Sequence, residues 1–141
     1  KPYKGDGREE VVQYLKENMK PEDSLYVWGY RLDIYVALKK LAAYPIANRI
    51  MIHPDPLVFS AEDRLKHIYP AYQELFFSLL DSSPPTFIVT FNRAPVGNQP
   101  SPSEDKVRKL LESSYSKVFK IDGEDFVKAK TSFEIYKHAG N

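Results

Sequence analysis

Two short stretches of this chain carry side chains suited to gripping an anion: Gly29-Tyr30-Arg31 and Asn92-Arg93. Each follows an apolar run, Leu25–Trp28 and Thr86–Phe91, with the length and the β-branched or aromatic content of a strand buried on both faces. Open α/β sheets hold their ligands at the carboxyl ends of parallel strands. If the two strands run the same way, Gly29, Tyr30, Arg31, Asn92 and Arg93 share one rim. Arg offers a fork of donors matched to phosphate, so the ligand expected there is a phosphate or sugar-phosphate. Polar residues are equally at home at any loop end of an α/β domain. Only one Gly follows the first strand, where a phosphate-binding fingerprint needs several.

Other constellations are thinner. His53-Pro54-Asp55, with His67 further on, could suggest a metal or an acid–base pair, but lacks the tight spacing of a ligand set. No Gly-x-Ser-x-Gly elbow is present. The carboxylates are spread along helices and turns, with no pair placed for general acid–base work. The residues alone therefore assign no catalytic group, no metal site and no cofactor.

The rim must be positioned by the rest of a chain of 141 residues, one domain by size. Such a length buries about two-thirds of its unfolded surface. Lys and Arg number 20 against 19 Asp and Glu, and no basic stripe is interleaved with aromatics, so nucleic acid is not an expected partner. No run of about 18 apolar residues is present to span a bilayer. Cys is absent, which excludes a disulfide scaffold. Ten Tyr and eight Phe fall mostly inside apolar runs, which favours strand packing over a binding surface. The opening at Lys1 suggests a piece of something longer.

Asp6-Gly-Arg-Glu9 has the spacing of a capping box for a first helix over about 7–19, whose apolar face is Val11, Val12, Leu15 and Met19. Asp33 is placed to cap a second helix with Ile34, Ala37, Leu38 and Leu41, ended by Pro45. Ile50–Ile52 is a weak strand candidate. A helical stretch from Ser60 has Leu65, Ile68, Tyr72, Leu75, Phe76 and Leu79 as its expected buried face. Pro70 within it either kinks the helix or starts a second one. Asn92–Pro102 has the composition of a loop, and Ser101-Pro-Ser-Glu104 that of a helix start, with Val107, Leu110 and Leu111 inward. Tyr115–Ile121 and Ser132–Lys137 are the last strands, with lysines suited to a sheet edge. Alternating strand and helix predicts a three-layer α/β/α sandwich: a mainly parallel sheet of about five strands with an antiparallel C-terminal edge.

Several of these segments, in this order, resemble a known family. Lys20-Pro-Glu-Asp23, Leu25-Tyr-Val-Trp-Gly29, Asp33-Ile-Tyr35, Tyr44-Pro-Ile-Ala-Asn-Arg49 and the closing Ile135-Tyr-Lys137 resemble the C-terminal extracytoplasmic domain of bacterial GT-C membrane glycosyltransferases. These are relatives of the dolichyl-phosphate-mannose–protein mannosyltransferases. Glu22 departs from the family's Gly in the turn, Asn48 stands for its Ser, and Ile50 for its Tyr. The resemblance implies a parent enzyme that moves a sugar from a polyprenyl-phosphate carrier at the outer face of the cytoplasmic membrane. The domain would be tethered there by upstream membrane helices. Its catalytic carboxylate lies in a loop that no residue here matches, so the domain is expected to be accessory and not catalytic alone. Its implied partners are the transmembrane portion of the parent and a lipid-linked sugar or acceptor. Trp28, Tyr35 and Arg49 are the matching motif positions, expected to be structural, with Trp28 in the core. A free-standing phosphate- or nucleotide-binding domain and a protein-interaction module are the alternatives that the residues leave open.

Overall fold

The computed structural model describes residues 5–29, 31–44, 70–93 and 102–140. In chain order the elements are α1 (Arg8–Asn18), β1 (Leu25–Trp28), α2 (Asp33–Leu38), α3 (Pro70–Ser82), β2 (Phe87–Arg93), α4 (Pro102–Ser114), β3 (Tyr115–Glu124) and β4 (Lys130–His138). The strands form one sheet in the order β1-β2-β4-β3. β1 and β2 are parallel, with Val27 opposite Val89 and Trp28 opposite Thr90. β4 is antiparallel to β2 on one side and to β3 on the other.

This overturns the expectation of a mainly parallel sheet of about five strands in a three-layer sandwich. Four strands are described, and two of their three pairings are antiparallel. The physical reason lies in β4. Its Phe133 and Ile135 are completely buried, so it enters the sheet beside β2 instead of closing its margin. Only β3 takes the edge that its lysines suit. The Ile50–Ile52 strand candidate lies outside the described residues.

Side-chain alternation divides the core in two. Leu25, Val27, Phe87, Val89, Phe133 and Ile135 pack with Val11, Val12 and Leu15 of α1 and Ile34 and Tyr35 of α2. Tyr26, Trp28 and Ile88 pack with Phe76 and Leu80 of α3 and Val107 and Leu111 of α4. The parallel pair is stapled at its start. Ser24 N–H donates to Thr86 Oγ1 at 3.1 Å, and Thr86 N–H returns to Ser24 Oγ at 3.0 Å.

The helices differ from their sequence forecasts where polar groups found other work. Asp6 and Glu9 do not make a capping box. Gly7, at φ 99°, is the residue ahead of α1, while Asp6 Oδ1 accepts from Arg8 N–H at 3.0 Å. Gly7 needs its freedom twice over, since a Cβ there would lie 3.0 Å from Ile121. α2 ends at Leu38, turned by Lys39 at φ 53°, so Leu41 is 90% exposed and not on its buried face. α3 starts at Pro70, as the second of the two forecasts had it, but turns Phe76 and Leu80 inward and leaves Tyr72 and Leu75 exposed. Leu65 and Ile68 lie outside the described residues. Among the described residues no helix is long and apolar enough to cross a membrane.

Candidate functional site

Because β1 and β2 are parallel neighbours, Gly29 and Asn92-Arg93 do lie at the same end of the sheet. Gly29 is buried, and a Cβ on it would sit 3.2 Å from Phe91 Cβ. Its smallness serves close approach of the two chains. Tyr30 and Arg49 lie outside the described residues, as do His53, Asp55 and His67.

Arg31 is held from three directions. Nη1 donates to Asp6 Oδ2 at 2.7 Å, and Nε and Nη2 donate to the two oxygens of Asp33 at 3.1 and 2.9 Å. The guanidinium carbon lies 4.8 Å from the Phe91 ring centre and 5.0 Å from that of Phe133. Those two rings are themselves in contact, 4.7 Å between centres. The geometry combines a bidentate carboxylate pair with cation–π contact. Only 14% of the Arg31 side chain is exposed. Desolvation works against its charge, but hydrogen bonds and charge from Asp33 and then Asp6 hold its pKa above the ordinary value. Desolvation pushes Asp33 up. Arg31, with a smaller contribution from Arg8 at 3.8 Å, outweighs it and holds the carboxyl below its ordinary range. Asp33 is therefore engaged as the counter-ion of Arg31, which is why it does not cap α2.

Arg93 is committed as well. Its Nε donates to Asp125 Oδ2 at 2.5 Å, joining the end of β2 to the β3–β4 turn. Asp125 Oδ1 accepts from the amides of Val127 and Ala129 at 3.0 and 2.9 Å. Against desolvation, the Arg93 hydrogen bond and these amides hold the Asp125 carboxyl below its usual range. Asn92 does not join the two arginines. Alternation along β2 puts it with Thr90 on the opposite face from Phe91 and Arg93. Among the described residues, neither Asn92 Oδ1 nor Thr90 Oγ1, both buried, has a hydrogen-bond partner.

Of the motif positions, Trp28 and Tyr35 are described, and both support the sheet. Trp28 is 1% exposed and stacks on Phe76, ring centres 5.3 Å apart. The Tyr35 hydroxyl accepts from Val27 N–H at 2.7 Å, and Ala43 N–H donates to Leu25 O at 2.8 Å. These two bonds occupy backbone groups on the side of β1 away from β2, which would otherwise be an open edge. Burial pushes the Tyr35 phenol well above its ordinary pKa.

Sequence reasoning identified the arginines and missed their partners. The spacing of Asp6 points to a helix cap, and nothing local marks Asp125. The legible signal was Asp33, two positions from Arg31; Asp6 lies 25 positions from Arg31 and Asp125 32 from Arg93, so neither pair left a local trace. Among the described residues no three His, Cys, Asp or Glu side chains are grouped to hold a metal ion. Comparison of the chain with protein families, curated proteins and solved structures finds no match.

Proposed function

We propose that this chain is an accessory domain of a membrane glycosyltransferase that takes sugar from a polyprenyl-phosphate carrier, and that it does not catalyse transfer alone. The reading starts from the sequence resemblance, and one observation carries it over its rivals. Arg31 and Arg93, the most site-like residues of the chain, are each neutralised by carboxylates of the fold itself. A phosphate arriving at Arg31 would have to displace Asp6 and Asp33 from a guanidinium that is mostly buried. Breaking such charge-assisted bonds costs more than a solvent-facing contact returns. The rim is thus better suited to hold the domain's shape than to bind a nucleotide.

The same contacts suit a domain that must sit rigidly on a larger enzyme. The segment ahead of α1 is bound to the hairpin: Glu124 N–H donates to Gly5 O at 2.9 Å, and Thr131 Oγ1 donates to Asp6 O at 2.9 Å. In the tethered arrangement, the chain arriving from the last membrane helix at the outer face would be fixed in direction by these bonds and by Arg31.

The test has two arms. The coding sequence upstream of Lys1 should contain several hydrophobic spans, and an ordinary start immediately before Lys1 removes the proposal. The isolated 141-residue chain, incubated with polyprenyl-phosphate sugar and peptide or glycan acceptors, should give no turnover above background. Turnover by this chain alone sinks the accessory assignment.

A further inference from the structure

We infer that the tip of the β3–β4 hairpin, through Phe126 and Val127 beside Lys128, is a contact site for an anionic lipid surface. Phe126 is 84% and Val127 57% exposed, adjacent on one turn. Their exposure is enforced, because the turn is cross-braced. Asp125 N–H donates to Ala129 O at 3.0 Å, Lys128 N–H donates to Asp125 O at 2.9 Å, and the Asp125 carboxylate accepts from Val127, Ala129 and Arg93. Lys128 takes a left-handed conformation, φ 64°, to complete it. A turn tied this firmly cannot fold its apolar side chains back onto the sheet. Leu32, 42% exposed, adds an apolar residue at the same end, in the loop after β1.

The charges around the tip choose the kind of surface. Arg93 is paired with Asp125 and Lys130 with Glu124, and among the described residues Lys128 of the turn has no carboxylate partner. Apolar side chains with a neighbouring cation suit the boundary between acyl chains and anionic headgroups. The occupant follows from where the chain arrives. Gly5, the first described residue, is bridged to Glu124 directly beside the turn, so the described N-terminal segment begins at the tip end of the sheet. The choice of lipid as occupant rests on the membrane-tethered reading above. Two apolar residues and one lysine bind a bilayer weakly by themselves, but a tether beside them raises their effective concentration at the membrane.

The experiment attaches the 141-residue chain by an N-terminal histidine tag to vesicles bearing a nickel-chelating lipid in either phosphatidylcholine or a phosphatidylcholine–phosphatidylglycerol mixture. Phe126→Trp supplies the reporter. Trp28 is the only natural Trp and is buried, so it contributes a fixed background. On anionic vesicles the introduced indole should shift to the blue and be quenched several-fold more by brominated lipid than the parent. Adding Val127→Asp should return quenching to background with an unchanged melting temperature. Lys128→Glu should weaken quenching on anionic vesicles and not on neutral ones. An introduced indole that stays as open to aqueous acrylamide on the vesicle as off it overturns the inference. So does protection that appears only with the transmembrane part of the parent present, which would make the tip a protein contact. A negative vesicle result leaves the transferase reading standing, since that is tested by the upstream coding sequence and by transfer.

Discussion

Arg31 Nη1 lies 2.7 Å from Asp6 Oδ2, so a residue ahead of the first helix and a residue after the first strand are bound as one unit. With Asp33 on the other side of the guanidinium and the Phe91 and Phe133 rings against it, Arg31 joins the chain's beginning, the β1–α2 loop and two central strands. This is an arginine in a core-closing role, found at a position where loop arginines usually face ligands.

Arg31→Ala should therefore destabilise the domain by about 2 kcal/mol or more, because it leaves Asp6 and Asp33 without their shared partner. An exposed loop charge contributes about 0.5 kcal/mol or less, but the Arg31 side chain is only 14% exposed and does not fall in that class. Urea unfolding of Arg31→Ala and Arg31→Lys decides it. Lys lacks the planar fork and should recover only part of the loss. An Arg31→Ala midpoint equal to that of the parent would show the ion pairs to be inconsequential.

Tyr35→Phe tests the edge of β1. The change keeps the ring, which is 7% exposed, and removes the oxygen that accepts Val27 N–H at 2.7 Å. A buried amide left unpaired costs about 1–3 kcal/mol. Hydrogen exchange should report the loss locally, with the Val27 amide losing more protection than that of Val89 on the neighbouring strand. Equal loss at both amides would place the effect in ring packing and not in the hydrogen bond.

How much of this was legible in the sequence depends on how local the cause was. Leu25–Trp28 and Thr86–Phe91 declared themselves as buried strands because their apolar residues are contiguous, and they lie side by side in parallel. Val107 and Leu111 faced the core as their spacing required. The sheet topology was not legible, because nothing in Ser132–Lys137 records that its neighbour would be β2 as well as β3. Pairing partners far apart in sequence leave no periodicity, and alternation within a strand is the same at an edge as in the interior. Gly29, Asn92 and Arg93 lie at one end of the sheet because β1 and β2 are parallel neighbours, but Asn92 faces away from the arginines and Tyr30 lies outside the described residues. The anions that engage Arg31 and Arg93 were not legible in full, because Asp6 and Asp125 come from distant segments.

Gly123→Ala probes the strap between the N-terminal segment and the hairpin. A Cβ there would lie 2.6 Å from both Asp6 C and Gly5 O, backbone atoms that cannot turn aside. The strap must move, breaking the Glu124 N–H bond to Gly5 O and the Thr131 bond to Asp6 O. The expected cost is about 1–3 kcal/mol, the usual range for overpacking. Gly5→Ala is the instructive contrast. Gly5 has φ 92° but nothing within 4 Å of an added Cβ, so backbone strain alone opposes that change. Thermal melts of the two variants, with exchange of the Glu124 amide, separate strain from collision. Retained protection of Glu124 in Gly123→Ala would contradict the close packing.

The pH dependence should have two limbs with different owners. Asp33, Asp125 and Glu134 have carboxyls held below their ordinary range; desolvation opposes this in each, and Arg31, Arg93 and Lys117 respectively outweigh it. A depressed folded pKa stabilises above the unfolded value of about 4, and that stability is lost as pH falls through it. Tyr35, Tyr44, Tyr115 and Tyr136 go the other way: burial is the leading cause that raises each phenol, joined at Tyr136 by Glu134. A raised folded pKa gives stability that is complete below the unfolded value of about 10 and is lost as pH climbs beyond it, because the unfolded chain ionises first. Tyr44 donates to Ser83 O at 2.8 Å and Tyr115 to Pro85 O at 2.7 Å, so ionisation would also turn two good donors against carbonyl oxygens. Melting temperature should be level through neutral pH, fall below about pH 4 and fall again above about pH 10. Tyr115→Phe should lower the plateau and soften the alkaline limb while leaving the acid limb in place. A melting temperature that stays constant from pH 9 to about 12 would mean that these phenols ionise as readily in the folded chain as in the unfolded one.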